Sequence, residues 1–181
     1  MQTARDIPGS QPGWLQTVLI GRRPRTTLIR ILVLVTVCFI TFKFILLGVR
    51  VDGISMEPTY HDHRVNWVNR LAFRGHEPRR GDVVAIRFSD PGPFGIPSEL
   101  LMKRIVGLPG ETVGFQDGHA YINGVILDEP YVKFSCDWDH PPVQCGPDEY
   151  YVVGDNRSMP FENHVQGRVR REHIIGKVVF R

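Results

Sequence analysis

Leu100-Leu101-Met102-Lys103-Arg104-Ile105-Val106-Gly107 is the stretch that decides how the chain is read. Apolar residues surround a Lys-Arg pair, and the run closes on Leu108-Pro109-Gly110, a turn signal. A short apolar run bounded in this way suits a strand. On a strand, alternate side chains share a face. Leu101, Lys103 and Ile105 then point one way, and Met102, Arg104 and Val106 the other. The lysine is either an ordinary exposed strand residue or a buried amine. Burial disfavours the ammonium and brings its pKa down from about 10.4.

Outward from this stretch, further runs have the β-branched or alternating character of strands: Val65–Val68, Val83–Phe88, Ala120–Ile122, Tyr150–Val153 and Ile175–Phe180. Turn signals separate them: Arg80-Gly81-Asp82, Pro91-Gly92-Pro93, Asp117-Gly118 and Asn123-Gly124. Asn123-Gly124 lies between two short apolar pairs and predicts a hairpin. Residues 48–181 are therefore expected to form a mainly β, antiparallel domain.

Before it, Leu28–Leu47 (LIRILVLVTVCFITFKFILL) is apolar except for Arg30 and Lys43, which sit near its ends. About 20 residues are needed to cross a bilayer core as a helix, and charges near the ends can reach the headgroups. A buried core helix would keep a polar stripe, and none is visible. A cleavable leader would be followed by small residues, whereas Gly48-Val49-Arg50-Val51-Asp52 follows here. The expectation is an uncleaved transmembrane anchor, preceded by a polar tail over 1–27. Arg22, Arg23, Arg25 and Arg30 crowd the N-terminal flank, so the positive-inside rule keeps the tail cytoplasmic and sends 48–181 outside. The same arginines account for the net charge of +3, and the rest of the chain is close to neutral. Nucleic acid is therefore not an expected partner.

Just past the anchor comes Ser55-Met56-Glu57-Pro58-Thr59. Pro58 biases Glu57 toward extended backbone, which holds the serine at a fixed turn. A serine hydroxyl is a weak nucleophile and needs a base within hydrogen-bond reach. A partly neutral lysine can serve, giving a Ser-Lys dyad that needs no histidine, acid, metal or other cofactor. On the residues alone an ordinary surface turn remains the alternative.

Four boxes in order make the chain resemble bacterial type I signal peptidases, the leader peptidases. Ser55–Thr59 is similar to the family's nucleophile box, and Arg80-Gly81-Asp82-Val83-Val84 to its Arg-Gly-Asp strand entry. Lys103-Arg104-Ile105-Val106-Gly107-Leu108-Pro109-Gly110-Glu111 is similar to its base box, and Gly154-Asp155-Asn156-Arg157 to the opening of its last box. Glu129-Pro130-Tyr131 adds a weaker likeness. The resemblance implies a Ser55–Lys103 serine endopeptidase of the membrane's outer face. It would cut leaders from exported preproteins after small residues at −3 and −1, at the plasma (inner) membrane and beside a secretion translocon. It also implies a mainly antiparallel β fold with a variable inserted part, over about 112–147. Alternatives are a dedicated maturation peptidase of the same family and a tethered peptide-binding domain that does not cut. A self-cleaving repressor would need a DNA-binding module where the anchor stands.

The chain departs from the family pattern in two places. Gly53 stands where many relatives carry an oxyanion-donating serine, which leaves the backbone, chiefly the Ser55 N–H, to do that work. In the last box, Pro160 replaces the serine that orients the lysine, Glu162 replaces an aspartate, and Asn163 and His164 replace Ser and Arg. Glu162 is expected to pair with Arg104, and Ser158 to supply the missing hydroxyl. Asp155 and Asn156 are expected to act as turn residues that bond local backbone.

Cys136 and Cys145 lie in the exported part, where a disulfide is the favoured state. Closing a loop of about 10 residues would stabilise by roughly 2.7 kcal/mol. Two free thiols, or a zinc site with His140 between them, are the alternatives. His61-Asp62-His63 reads as a solvated loop.

Overall fold

The computed structural model describes residues 24–87, 100–134 and 136–180. The tail turns and Pro91-Gly92-Pro93 lie outside them. Contacts divide the chain into two units, 1–42 and 43–181.

The first unit carries helix α1, Pro24–Ile40, which continues as a π turn over Thr41–Ile45. Together Arg25–Ile45 form a helix long and apolar enough to cross a membrane. Its apolar side chains are exposed all round, with no buried face. The helix ends sooner than the apolar run: Leu46 and Leu47 belong to a strand, pairing with Asn69 and Val68.

The second unit is built from two antiparallel sheets. Its strands are β1 (Leu46–Arg50), β2 (Val65–Asn69), β3 (Val83–Arg87), β4 (Leu100–Gly107), β5 (Thr112–Gln116), β6 (His119–Ile122), β7 (Val125–Ile126), β8 (His140–Gln144), β9 (Glu149–Val153), β10 (Gly167–Arg170) and β11 (Ile174–Phe180). The larger sheet runs β1-β2-β11-β3-β4-β9-β10, and the smaller runs β7-β6-β5-β8. The expected strands all appear. Asn123-Gly124 makes the β6–β7 hairpin, with both residues at positive φ (52° and 80°), as a tight two-residue turn demands. Asp117-Gly118 joins β5 to β6 in the same way.

Strand β3 shows why the larger sheet is buried on both faces. Val83 and Ala85 pack into a cluster with Val49, Met56, Val68 and Met102. Val84 and Ile86, on the opposite face, pack with Phe73, Ile105, Tyr150 and Val152. A third cluster joins the sheets: Val106, Tyr151 and Val153 against Val113, Phe115, Ala120 and Trp138. The smaller sheet is formed by the segment expected to be an insertion.

Arg80-Gly81-Asp82 is a brace at the start of β3. Arg80 donates to the Val106 carbonyl and to Glu111, the Gly81 N–H to the Ile105 carbonyl, and Lys177 of β11 pairs with Asp82 at 2.6 Å.

Candidate active site

Ser55 lies in the turn after β1, and that turn is held at several points. Met56, directly after the serine, is fully buried in the core. The Asn156 N–H donates to the Ser55 carbonyl at 3.0 Å, and Asn156 Nδ2 donates to the Ile54 carbonyl at 3.0 Å. Ser158 Oγ donates to Asn156 Oδ1 at 2.7 Å. Ser158 therefore fixes the clamp on the serine turn; it is exposed and does not supply the hydroxyl expected to orient the lysine.

Lys103 sits in the middle of β4, paired with Val84 of β3. It is 3% exposed, and its Nζ donates to Ser55 Oγ at 2.7 Å. Burial pushes its pKa down from 10.5 to about 8, although the Asp155 carboxylate favours the charge. The exposed-lysine alternative is thereby excluded.

The next residue, Arg104, is bound to Asp155 and not to Glu162. Nε and NH2 reach the two carboxylate oxygens at 2.8 and 2.6 Å, and NH1 donates to the Gly81 carbonyl at 2.7 Å. The register explains the choice. Arg104 pairs with Val153, so Asp155, two residues on, comes to the guanidinium, and it is fully buried. Glu162 is on an exposed 3-10 turn. The Tyr131 ring covers the Arg104 guanidinium at 3.9 Å, and Tyr131 Oη donates to Glu129 at 2.7 Å. Glu129 in turn accepts both guanidinium nitrogens of the buried Arg157. Two ion pairs thus lie behind the base strand. The Glu129–Arg157 pair went unread in the sequence, where only the Glu-Pro-Tyr likeness pointed to it.

Gly154 must be a glycine. A Cβ there would lie 2.2 Å from the Ser55 carbonyl oxygen and 2.5 Å from Cε1 of His164. His164, which the sequence marked only as a departure in the last box, is buried, and its ring stands edge-on to Trp138 at 5.1 Å.

Gly53 adopts φ +115°, and its N–H is committed to Asp62 Oδ1 at 2.7 Å. Backbone at this φ strains any side chain, so the glycine serves the loop's shape. Asp52, Asp62 and His63 bring ligand atoms within 4.8 Å of one another. Arg50 already supplies positive charge there, at 3.3 Å from Asp52 and 3.2 Å from His63. A small cavity of about 30 Å³ is lined by Ser55 and Lys103 together with Val49–Asp52 and Leu100–Met102.

The expected Cys136–Cys145 bridge is absent; both thiols are free. Cys145 donates its N–H to Glu111, next to the start of β5. Cys136 lies against Gly118, just beyond its end. Four strand steps of about 3.3 Å put more than 10 Å between those ends, too far for a disulfide. Burial pushes the Cys145 thiol up to about 11.

A family model described as signal peptidase, peptidase S26, matches residues 25–181. The chain belongs to the signal peptidase family. It is 33% identical over 131 residues to a probable signal peptidase I-2 of Synechocystis sp., covering 72% of this chain and 60% of that protein. It is 36% identical over 129 residues to a signal peptidase I of Leptolyngbya laminosa, covering 70% and 64%. A signal peptidase I of Bacillus amyloliquefaciens is 32% identical over 162 residues, covering 83% of both chains. The chain spans about three-fifths of the length of the first two relatives. In this signal peptidase family member, Lys103 Nζ and Ser55 Oγ are in hydrogen-bond contact.

Proposed function

We propose that the protein is a membrane-anchored serine endopeptidase that removes signal peptides from exported preproteins. Ser55 is the nucleophile and Lys103 the general base. The observation that carries this reading is the 2.7 Å contact between Lys103 Nζ and Ser55 Oγ, made by a buried lysine whose pKa falls to about 8. At pH 7 a lysine at 10.5 is neutral in about three molecules per ten thousand, and one at 8 in about one in ten.

The chemistry follows from the contact. The Oγ proton passes to neutral Nζ as Oγ attacks the substrate carbonyl carbon. The Ser55 N–H, which has no acceptor among the described residues, is the donor left for the developing oxyanion. The Lys103 ammonium gives its proton to the leaving amine, and the neutral amine then draws a proton from the water that hydrolyses the acyl-enzyme. The small cavity lined by Val49–Asp52 and Leu100–Met102 lies beside Ser55 and Lys103, where the substrate backbone would enter. Arg104, Asp155 and Asn156 hold the base strand and the serine turn, and Gly53 shapes the loop ahead of them.

An anchor over Arg25–Ile45, a cytoplasmic tail before it and an extracytoplasmic domain over 46–181 complete this reading, with the lipid bilayer and the export machinery as partners. Preprotein cleavage in detergent by the parent, Ser55→Ala and Lys103→Ala chains tests it. Parent cleavage after a small residue, with more than about a hundredfold loss in each variant, is the expected result. A folded parent that cuts none of several preproteins would favour the dedicated-substrate or binding-only alternatives.

A further inference from the structure

His164 is 4% exposed, and neither ring nitrogen has a hydrogen-bond partner among the described residues. Backbone groups of Val165 and Asn156 face the ring without closing a bond. A buried unsatisfied polar group is costly, and native proteins keep few of them. Filling space against Trp138 would not require an imidazole. The ring packs on Gly154 from the same side as the Ser55 carbonyl: a Cβ on that glycine would lie 2.8 Å from Nε2 and 2.2 Å from the Ser55 oxygen. His164 is thus next to the backbone of the nucleophile.

Lys103 has the complementary deficit. An ammonium has three donors, and the one contact formed among the described residues goes to Ser55 Oγ. Once Nζ has taken the serine proton, it is a buried cation that must stay aimed at the leaving amine. Ser158 does not hold it, because its hydroxyl is committed to Asn156. The charged groups around this place are Lys103 on β4, and Arg157 and Asp155 after β9. Arg157 is neutralised by Glu129, and Asp155 is taken by Arg104. Burial, then the Lys103 and Arg157 charges, push His164 down to about 4, so its ring is neutral and has a free acceptor lone pair.

Building on the Ser55–Lys103 reading, we propose that His164 is a positioning residue for the lysine, its Nε2 accepting a hydrogen bond from Nζ while Nζ carries the serine proton. The proton goes from Oγ to Nζ and on to the leaving amine; His164 never takes it.

The test is the pH dependence of kcat and KM for preprotein cleavage by the full chain in detergent, comparing the parent with His164→Phe, His164→Asn and His164→Gln. Gln extends an acceptor oxygen to the Nε2 position, Asn falls short of it, and Phe offers none. The expected result is a loss of about tenfold or more in kcat for Phe and Asn, with KM within about twofold. In both, the acid limb of kcat/KM moves to lower pH, because the ammonium has lost an acceptor; Gln restores most of the rate and the limb. If Phe does not fold, the Asn–Gln comparison decides. Equal activity in those two, or losses with an unmoved limb, overturns the proposal. A parent that cleaves nothing removes the Ser55–Lys103 reading itself, and the proposal with it.

Discussion

Replacing Lys103 by methionine is expected to abolish cleavage and yet stabilise the protein at pH 7. Methionine keeps the unbranched apolar stem and drops the amine. The fall in the lysine pKa from 10.5 to about 8 corresponds to about 3 kcal/mol of native-state stability. Losing the Ser55 contact gives back about 1 kcal/mol, which leaves a net gain of about 2. The pH dependence separates this cause from packing. Because the native pKa is depressed, the unfolded chain takes up the proton below 10.5 and the native chain only below about 8. The lysine costs nothing above 10.5, costs progressively more as pH falls toward 8, and is constant below that. Methionine has no such dependence, so the stability gap should shrink by about 2 kcal/mol between pH 7 and pH 9.5. Urea unfolding of both full chains in detergent micelles, followed by tryptophan fluorescence, measures it. A variant no more stable than the parent at pH 7, or a gap that stays constant with pH, would refute the buried-amine account.

Cleavage itself should rise with pH through an apparent pKa near 8 in kcat/KM, falling about tenfold per pH unit well below it; a limb near 6 would point to a histidine. Asp155→Asn leaves the buried Arg104 guanidinium without its carboxylate and should cost about 3 kcal/mol in urea unfolding. Glu162→Ala, by contrast, should change neither stability nor rate by more than about twofold. Gly154→Ala forces a methyl onto the Ser55 carbonyl and should lower cleavage more than tenfold while destabilising by about 1–3 kcal/mol; wild-type rates would contradict the tight approach. Alkylation of the native protein at pH 8 should modify Cys136 well before Cys145, with both thiols titratable in denaturant without reductant.

The strands read from the sequence are those with continuous β-branched or apolar runs, and β3 and β4, largely buried on both faces, are examples. The ones it hid had reasons to hide. In β8, His140-Pro141-Pro142-Val143-Gln144, two prolines read as loop; they are tolerated because the strand is at the edge of its sheet. In β5, Gly114 interrupts the pattern. Strand β10 is half arginine because it too lies at an edge. Leu46 and Leu47 were read as membrane helix because hydropathy cannot tell a lipid-facing leucine from one packed against a neighbouring strand. The site divides in the same way. Ser55 and Lys103 were legible through local context. The Arg104 partner was not, since Asp155 and Glu162 are both plausible until the β4–β9 register is known. The burial of His164 depends on Trp138 and Gly154, which are remote from each other in sequence and from no pattern that a single chain displays.

The order of the larger sheet has a consequence for the chain during its synthesis. Strands β1 and β2 carry the serine turn, β3 and β4 carry the lysine, and the strand that joins these two pairs is β11. Ribosomes deliver Ile174–Phe180 after every other described strand. Until then the sheet has a gap where β11 belongs, and the Asn156 clamp arrives only shortly before it. A partly made chain therefore has both reactive side chains and no framework that brings them together. The topology in this way keeps Ser55 and Lys103 without a common scaffold until Ile174–Phe180 is in place.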